Sequence, residues 1–129
     1  MKVLVCGGRN FKDWYLLDRT LTRLDLSVKR IDSIIHGGAS GADTLADRWG
    51  QLNGRWVHVC RAQWDKWGKA AGPIRNQEML GHNPDLVVAF TGGAGTRDMV
   101  RQAEARMFSV LKIFKDADLD SIMGLIKRP

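Results

Sequence analysis

The sequence predicts an α/β fold: a mostly parallel five-stranded sheet between two helical layers, a Rossmann-like three-layer sandwich. Five short apolar runs rich in β-branched residues alternate with segments of helical spacing, the pattern of parallel strands joined by right-handed crossovers. Three of those runs end in glycine-rich loops, VLVCGGRNF, IIHGGASGAD and LVVAFTGGAGT. The 129 residues, 44% hydrophobic and 26% charged, are enough for one core and too few for two. Residues 1–129 are therefore expected to form a single domain.

The strands are expected from Lys2 to Cys6, Ile31 to His36, Trp56 to Cys60, Leu86 to Phe90 and Val110 to Phe114. Between the first two, Trp14, Leu17, Leu21 and Leu24 recur on one helical face. Ala42, Leu45, Ala46, Trp49 and Leu52 do the same in the next segment, as do Met99, Val100, Ala103 and Met107 after the fourth strand. Pro73 suits the first turn of a short helix running to His82, which Asn83 and Pro84 stop. A last helix is expected from Leu119 to Ile126. Five strands in the order 3-2-1-4-5 put the switch point between strands 1 and 4, so the glycine loops after strands 1, 2 and 4 converge at the carboxyl edge.

Glycines there leave room for close approach to the backbone, and free N–H groups opening a helix attract anions. In TGGAGTRDMV, Gly92, Gly93 and Gly95 precede a helix whose first turn carries Thr96 and Asp98; Thr96 is either a cap or a ligand contact. In HGGASGADTLADRW, Gly37, Gly38 and Gly41 surround Ser40, read as a cap. Asp43 in the first turn complements the helix dipole, accepts from a neighbouring loop, or accepts from ribose hydroxyls. In CGGRNF, Gly7 and Gly8 precede Arg9, which can fork onto a phosphate or pair with Asp43 or Asp98. Neither GxGxxG nor GK[ST] is present, which disfavours NAD in its usual pose and ATP hydrolysis.

A fourth segment, AQWDKWGKAAGPIRNQEML, places Trp64 and Trp67 in a polar loop, to stack on a base or to pin the loop. Its Arg75 and Asn76 open the short helix opposite the third loop. The formal charge of +6 favours an anionic ligand, yet the 20 Lys and Arg are scattered, with no run beyond Lys127 and Arg128. Nucleic acid ranks last as a partner, since no aromatic and basic stripe lies outside this site. Cys6 and Cys60, two strand spacings of about 4.8 Å apart, exceed the disulfide limit of about 7 Å between Cα atoms and are expected as thiols. His36, His58 and His82 show no ligand spacing, so neither a metal nor a resident cofactor is expected. With no membrane span and no signal-peptide pattern, a cytoplasmic location is expected and no membrane partner.

Taken together, VCGGR with Phe11, HGGASGAD, AGPIRNQEM and AFTGGAGTRDMV resemble the SLOG superfamily, in particular its YspA-like branch, from about Val3 to Ile113. The resemblance implies a Rossmann-like domain that binds a nucleotide or nucleotide-derived small molecule. Within the superfamily, LOG-type enzymes cleave the N-glycosidic bond of nucleoside 5′-monophosphates, using a PGGxGTxxE loop and an arginine followed by lysine. Here Thr91 replaces the proline, Met99 stands at the final glutamate with Asp98 beside it, and Asn76 follows Arg75 in place of lysine. If turnover occurs, Asp98 and Arg75 are the catalytic candidates, Asp98 stabilising an oxocarbenium-like state. An acid one position earlier on a helix points about 100° away. Hydrolysis and binding alone as a sensor both stand as readings. LOG-like dimers imply a homo-oligomer, for which Trp14, Trp49, Met107 and Phe108 are candidate interface residues, or else core.

Overall fold

A computed structural model describes residues 1–126; Lys127 and Arg128 lie outside the described residues. Five parallel strands, β1 (Lys2–Cys6), β2 (Ser33–His36), β3 (Trp56–Val59), β4 (Leu86–Phe90) and β5 (Val110–Ile113), form one sheet in the order β3-β2-β1-β4-β5. This is the expected order. The helices are α1 (Trp14–Ser27), α2 (Ala42–Leu52), the single turn α3 (Trp64–Trp67), α4 (Ala71–Gly81) and α5 (Ala94–Ala105).

Period-two alternation sends successive side chains of β1 to opposite faces. Val3 and Val5 join Leu17, Leu21, Leu24, Ile34, Trp49 and Phe90 beneath α1 and α2, while Leu4 and Cys6 join Ile35, Met79, Val87 and Met99 beneath α4 and α5. Both faces are therefore dry, as a parallel sheet requires. Burial of each such leucine contributes about 1.5–3 kcal/mol relative to leaving it in water.

Three expectations change. The C-terminal segment is a 3-10 stretch from Asp116 to Leu125 rather than an α-helix; Leu119 and Ile122 anchor it over α1 and β5. Leu52 is 66% exposed and Met107 92% exposed, so neither belongs to a core face. Helix α5 ends at Ala105, and Met107 takes a left-handed φ of 64° that turns it outward. Of the interface-or-core candidates, Trp49, 1% exposed, takes the core alternative, and Trp14 and Phe108 are half-buried against the two cores. Finally, Trp64 and Trp67 sit on the short turn α3 rather than in an irregular loop.

A buried ion pair closes the amino edge. Arg55 Nη1 and Nη2 fork onto Asp25 at 2.8 and 3.0 Å, and Arg55 also donates to the carbonyls of Ile31 and Asn53. Asp25 in turn accepts the Ile31 amide at 2.7 Å, so the end of α1 is tied to the entry of β2 through Ile31 and to the entry of β3 through Arg55.

Candidate functional site

The three glycine loops meet at the carboxyl edge because they lie on adjacent strands, and they pack on one another backbone to backbone. Gly8 N–H donates to Thr91 O at 2.8 Å, and Ala42 N–H donates to Gly8 O at 3.2 Å. A Cβ on Gly8 would lie 3.0 Å from Thr91 O, one on Gly7 2.6 Å from Ala42 Cβ, and one on Gly41 would overlap Gly8 O. Gly92 is likewise closed over Thr96 and Gly8, and Gly37 over the Arg75 guanidinium. Most of the glycines thus serve loop-to-loop packing. Only Gly93 and Gly95 in these loops face open space.

Both also line a cleft of about 930 Å³ between β1, β4, α4 and the start of α5. Gly7, Gly8, Arg9, Asp43, Trp64, Arg75, Asn76, Gly92, Gly93, Gly95, Thr96 and Asp98 line it, bringing together twelve residues singled out from the sequence. Gly37, Gly38 and Ser40 line a smaller adjoining lobe instead, and Gly41 lines neither. Trp67 is outside both, its ring beneath Lys66 Nζ at 4.9 Å.

Two expected caps are absent. Gly41, whose φ of 81° favours glycine, stands at the N-cap of α2 and no side chain caps the helix; Ser40 Oγ instead donates to Arg9 O at 3.2 Å. Helix α5 begins after Gly93 with no side-chain cap, and Thr96 is buried inside its first turn. The opening residues of α5 therefore line the cleft with no protein side chain capping their N–H groups.

Every carboxylate lining the cleft is already occupied. Asp13 caps α1 through Leu16 N. Asp43 Oδ2 accepts from Gly37 N at 3.1 Å and Ala39 N at 3.2 Å, so it holds its own loop. Burial raises its pKa, opposed by those amides and by His36 and Arg75. Asp98 accepts from Arg101 at 2.5 Å, Gln102 at 2.8 Å and Asn76 at 3.0 Å. Arg9 pairs with none of these acids; its guanidinium lies 5.9 Å from the Trp64 ring centroid.

Arg75 is placed by two acceptors, Gly37 O at 2.8 Å through Nη1 and Asn76 Oδ1 at 3.1 Å through Nε. Its Nη2 donors stay available to a ligand. Asn76 is fixed in turn by Gly95 O and Asp98, so Asp98, Asn76 and Arg75 form one chain of positioning contacts. His36, 3% exposed, was not singled out by the sequence, though it directly precedes the second loop. Its Nδ1 accepts from Gly38 N at 2.9 Å, which leaves Nε2–H to donate to Asp47 at 2.7 Å. Cys6 forms part of the floor; burial, aided by Asp43 and opposed by Arg75, pushes its thiol up to about 12, so it is no nucleophile. Both cysteines are free thiols.

Gly95 allows a direct probe of the cleft. Gly95→Ala is expected to raise unfolding stability by about 0.5–1 kcal/mol through helix propensity, while an added methyl at this cleft-lining position with open space around it is expected to weaken ligand affinity several-fold. Urea unfolding with calorimetric titration of nucleoside 5′-monophosphates checks both; unchanged affinity would move the ligand elsewhere.

Among the described residues no helix is long and apolar enough to cross a membrane, and no cluster of His, Cys, Asp or Glu could hold a metal. The chain is similar in structure to the structural-genomics target TM1055, with a TM-score of 0.64 at 20% identity over 84% of this chain and 71% of that one, a likeness of fold. In sequence it is 38% identical over 114 residues to the Gene 61 protein of Mycobacterium phage D29, covering 80% of this chain and 88% of the phage protein. Residues 1–67, which carry the first two loops and reach α3, match the family described as YspA, cpYpsA-related SLOG. With the phage protein matching over most of both lengths as well, the chain belongs to the YspA, cpYpsA-related SLOG family.

Proposed function

We propose that this protein binds a nucleotide or nucleotide-derived small molecule in the cleft, anchoring a phosphate between the start of α5 and Arg75 and holding it without cleaving its N-glycosidic bond. Membership of a SLOG family supports a nucleotide-related binding or hydrolase role in general. The observation that carries the finer reading is the pairing of an uncapped, glycine-lined helix start with carboxylates that are all committed to protein donors. An anion at a helix start gains about 0.3–1 kcal/mol from the dipole alone. The Arg75 guanidinium adds charge-assisted hydrogen bonds. Trp64, 48% exposed and lining the cleft, offers an indole surface for a base or ribose.

Glycosidic cleavage needs a carboxylate facing the anomeric carbon or its attacking water. Asp98 is turned onto Asn76, Arg101 and Gln102, which suits a positioning role. Incubation with the four ribonucleoside 5′-monophosphates and ADP-ribose, followed by chromatography for free base and by calorimetry, tests this reading. Saturable binding with no base released is expected. Base release that vanishes in Asp98→Asn and Arg75→Ala would overturn the binding-only reading in favour of a phosphoribohydrolase-like enzyme.

A further inference from the structure

The cleft continues past Arg9, Trp64 and Arg75 into the second lobe, about 340 Å³, and these three residues line both spaces. Three guanidiniums, Arg9, Arg61 and Arg75, line this lobe, and no acidic residue does. Asp43, which lines the main cleft, accepts from the Gly37 and Ala39 amides of this lobe's loop. Arg61, exposed on the segment after β3, makes a single side-chain bond, from Nη1 to Gly38 O at 3.2 Å. Gly38 holds that carbonyl with a left-handed φ of 71°. Neither Arg9 nor Arg61 has a carboxylate partner among the described residues.

Like charges gathered around one concavity repel unless an anion joins them, and their field draws such an anion in. Guanidiniums present planar forks of donors that match phosphoryl oxygens. One phosphate at the start of α5 satisfies Arg75 from one side and leaves Arg61 unserved.

Resting on the nucleotide-binding reading above, we infer that the ligand carries a diphosphate, one phosphoryl group at the start of α5 and the next in the Arg9–Arg61–Arg75 lobe. Arg75, on the wall between the lobes, serves both groups, and Arg61 serves the second alone.

The test is calorimetric titration, at one fixed salt concentration, of the four ribonucleoside 5′-monophosphates and the matching 5′-diphosphates. For the base that binds, the diphosphate is expected to bind at least about tenfold more tightly, the gain of one charge-assisted contact. In Arg61→Ala that ratio is expected to fall below about threefold, and in Arg61→Glu to reach one or less, on the same contact energy. Monophosphate binding with no diphosphate gain, or a gain that survives both substitutions, would overturn the diphosphate inference and leave the nucleotide reading standing. Binding of neither class would overturn both.

Discussion

Replacing Arg75 with alanine is expected to weaken binding of a ribonucleoside 5′-monophosphate by about 30- to 1,000-fold, the loss of about 2–4 kcal/mol that follows removal of a desolvated charge contact. The guanidinium is held by Gly37 O at 2.8 Å and Asn76 Oδ1 at 3.1 Å, so its free edge is fixed before the ligand arrives. Binding therefore forfeits little side-chain entropy, and the whole interaction appears as affinity. Arg75→Lys keeps the charge and loses the fork, so it should fall between wild type and alanine. Calorimetry measures these affinities, and urea unfolding separates them from damage to the second loop. An affinity within threefold of wild type in Arg75→Ala would remove the residue from the site.

Asp25→Ala is expected to destabilise the fold by about 3–5 kcal/mol, because it leaves a largely buried guanidinium without its counter-charge. Arg55 and Asp25 are only 9% and 12% exposed in their side chains. The same change frees the Ile31 amide and loosens the turn that feeds β2. The paired replacement Asp25→Leu with Arg55→Met should recover most of the loss, since apolar side chains of similar volume replace a buried ion pair at little cost. Urea unfolding of the single and double variants decides it. A single-variant loss under about 1 kcal/mol would mean that water reaches Arg55 and compensates it.

The sheet order and the convergence of the loops were legible in the sequence because they depend on chain-local patterns: apolar runs, helical spacing and glycine at strand ends. Arg75 and Asn76 were legible for a related reason, as they lie on a helix beside that edge, although α4 starts at Ala71 and they fall in its second turn rather than opening it. What the sequence concealed depends on tertiary partners. Nothing local says that Asp25 and Arg55, thirty positions apart, meet in a fork. Nor does spacing reveal that Ser40 donates to Arg9 O instead of capping α2. Met107 fits a helical period that α5 no longer follows after Ala105. Arg61 is not legible as a site residue because Gly38 and Arg9, which line the lobe with it, come from two other loops; its one local signal is its place directly after an apolar strand on the same edge.

Asp98 illustrates how a sequence can place a residue and still leave its work open. The sequence places it on the first turn of the helix after strand 4; α5 starts at Ala94, so Asp98 falls in the second turn, and the cleft does include it. Its three donors are Asn76 from α4 and Arg101 and Gln102 one turn further along its own helix. The helical spacing of the last two was visible in the chain, whereas Asn76 could be found only by folding it.

The measurement that bears most directly on the cleft is an amide chemical-shift titration of the labelled protein with ribonucleoside 5′-monophosphates. Saturable shifts concentrated at Gly92, Gly93, Ala94 and Gly95, with Gly8 and the Trp64 indole N–H moving alongside, are the predicted result. Shifts centred on any other surface, or none at millimolar nucleotide, would contradict the account.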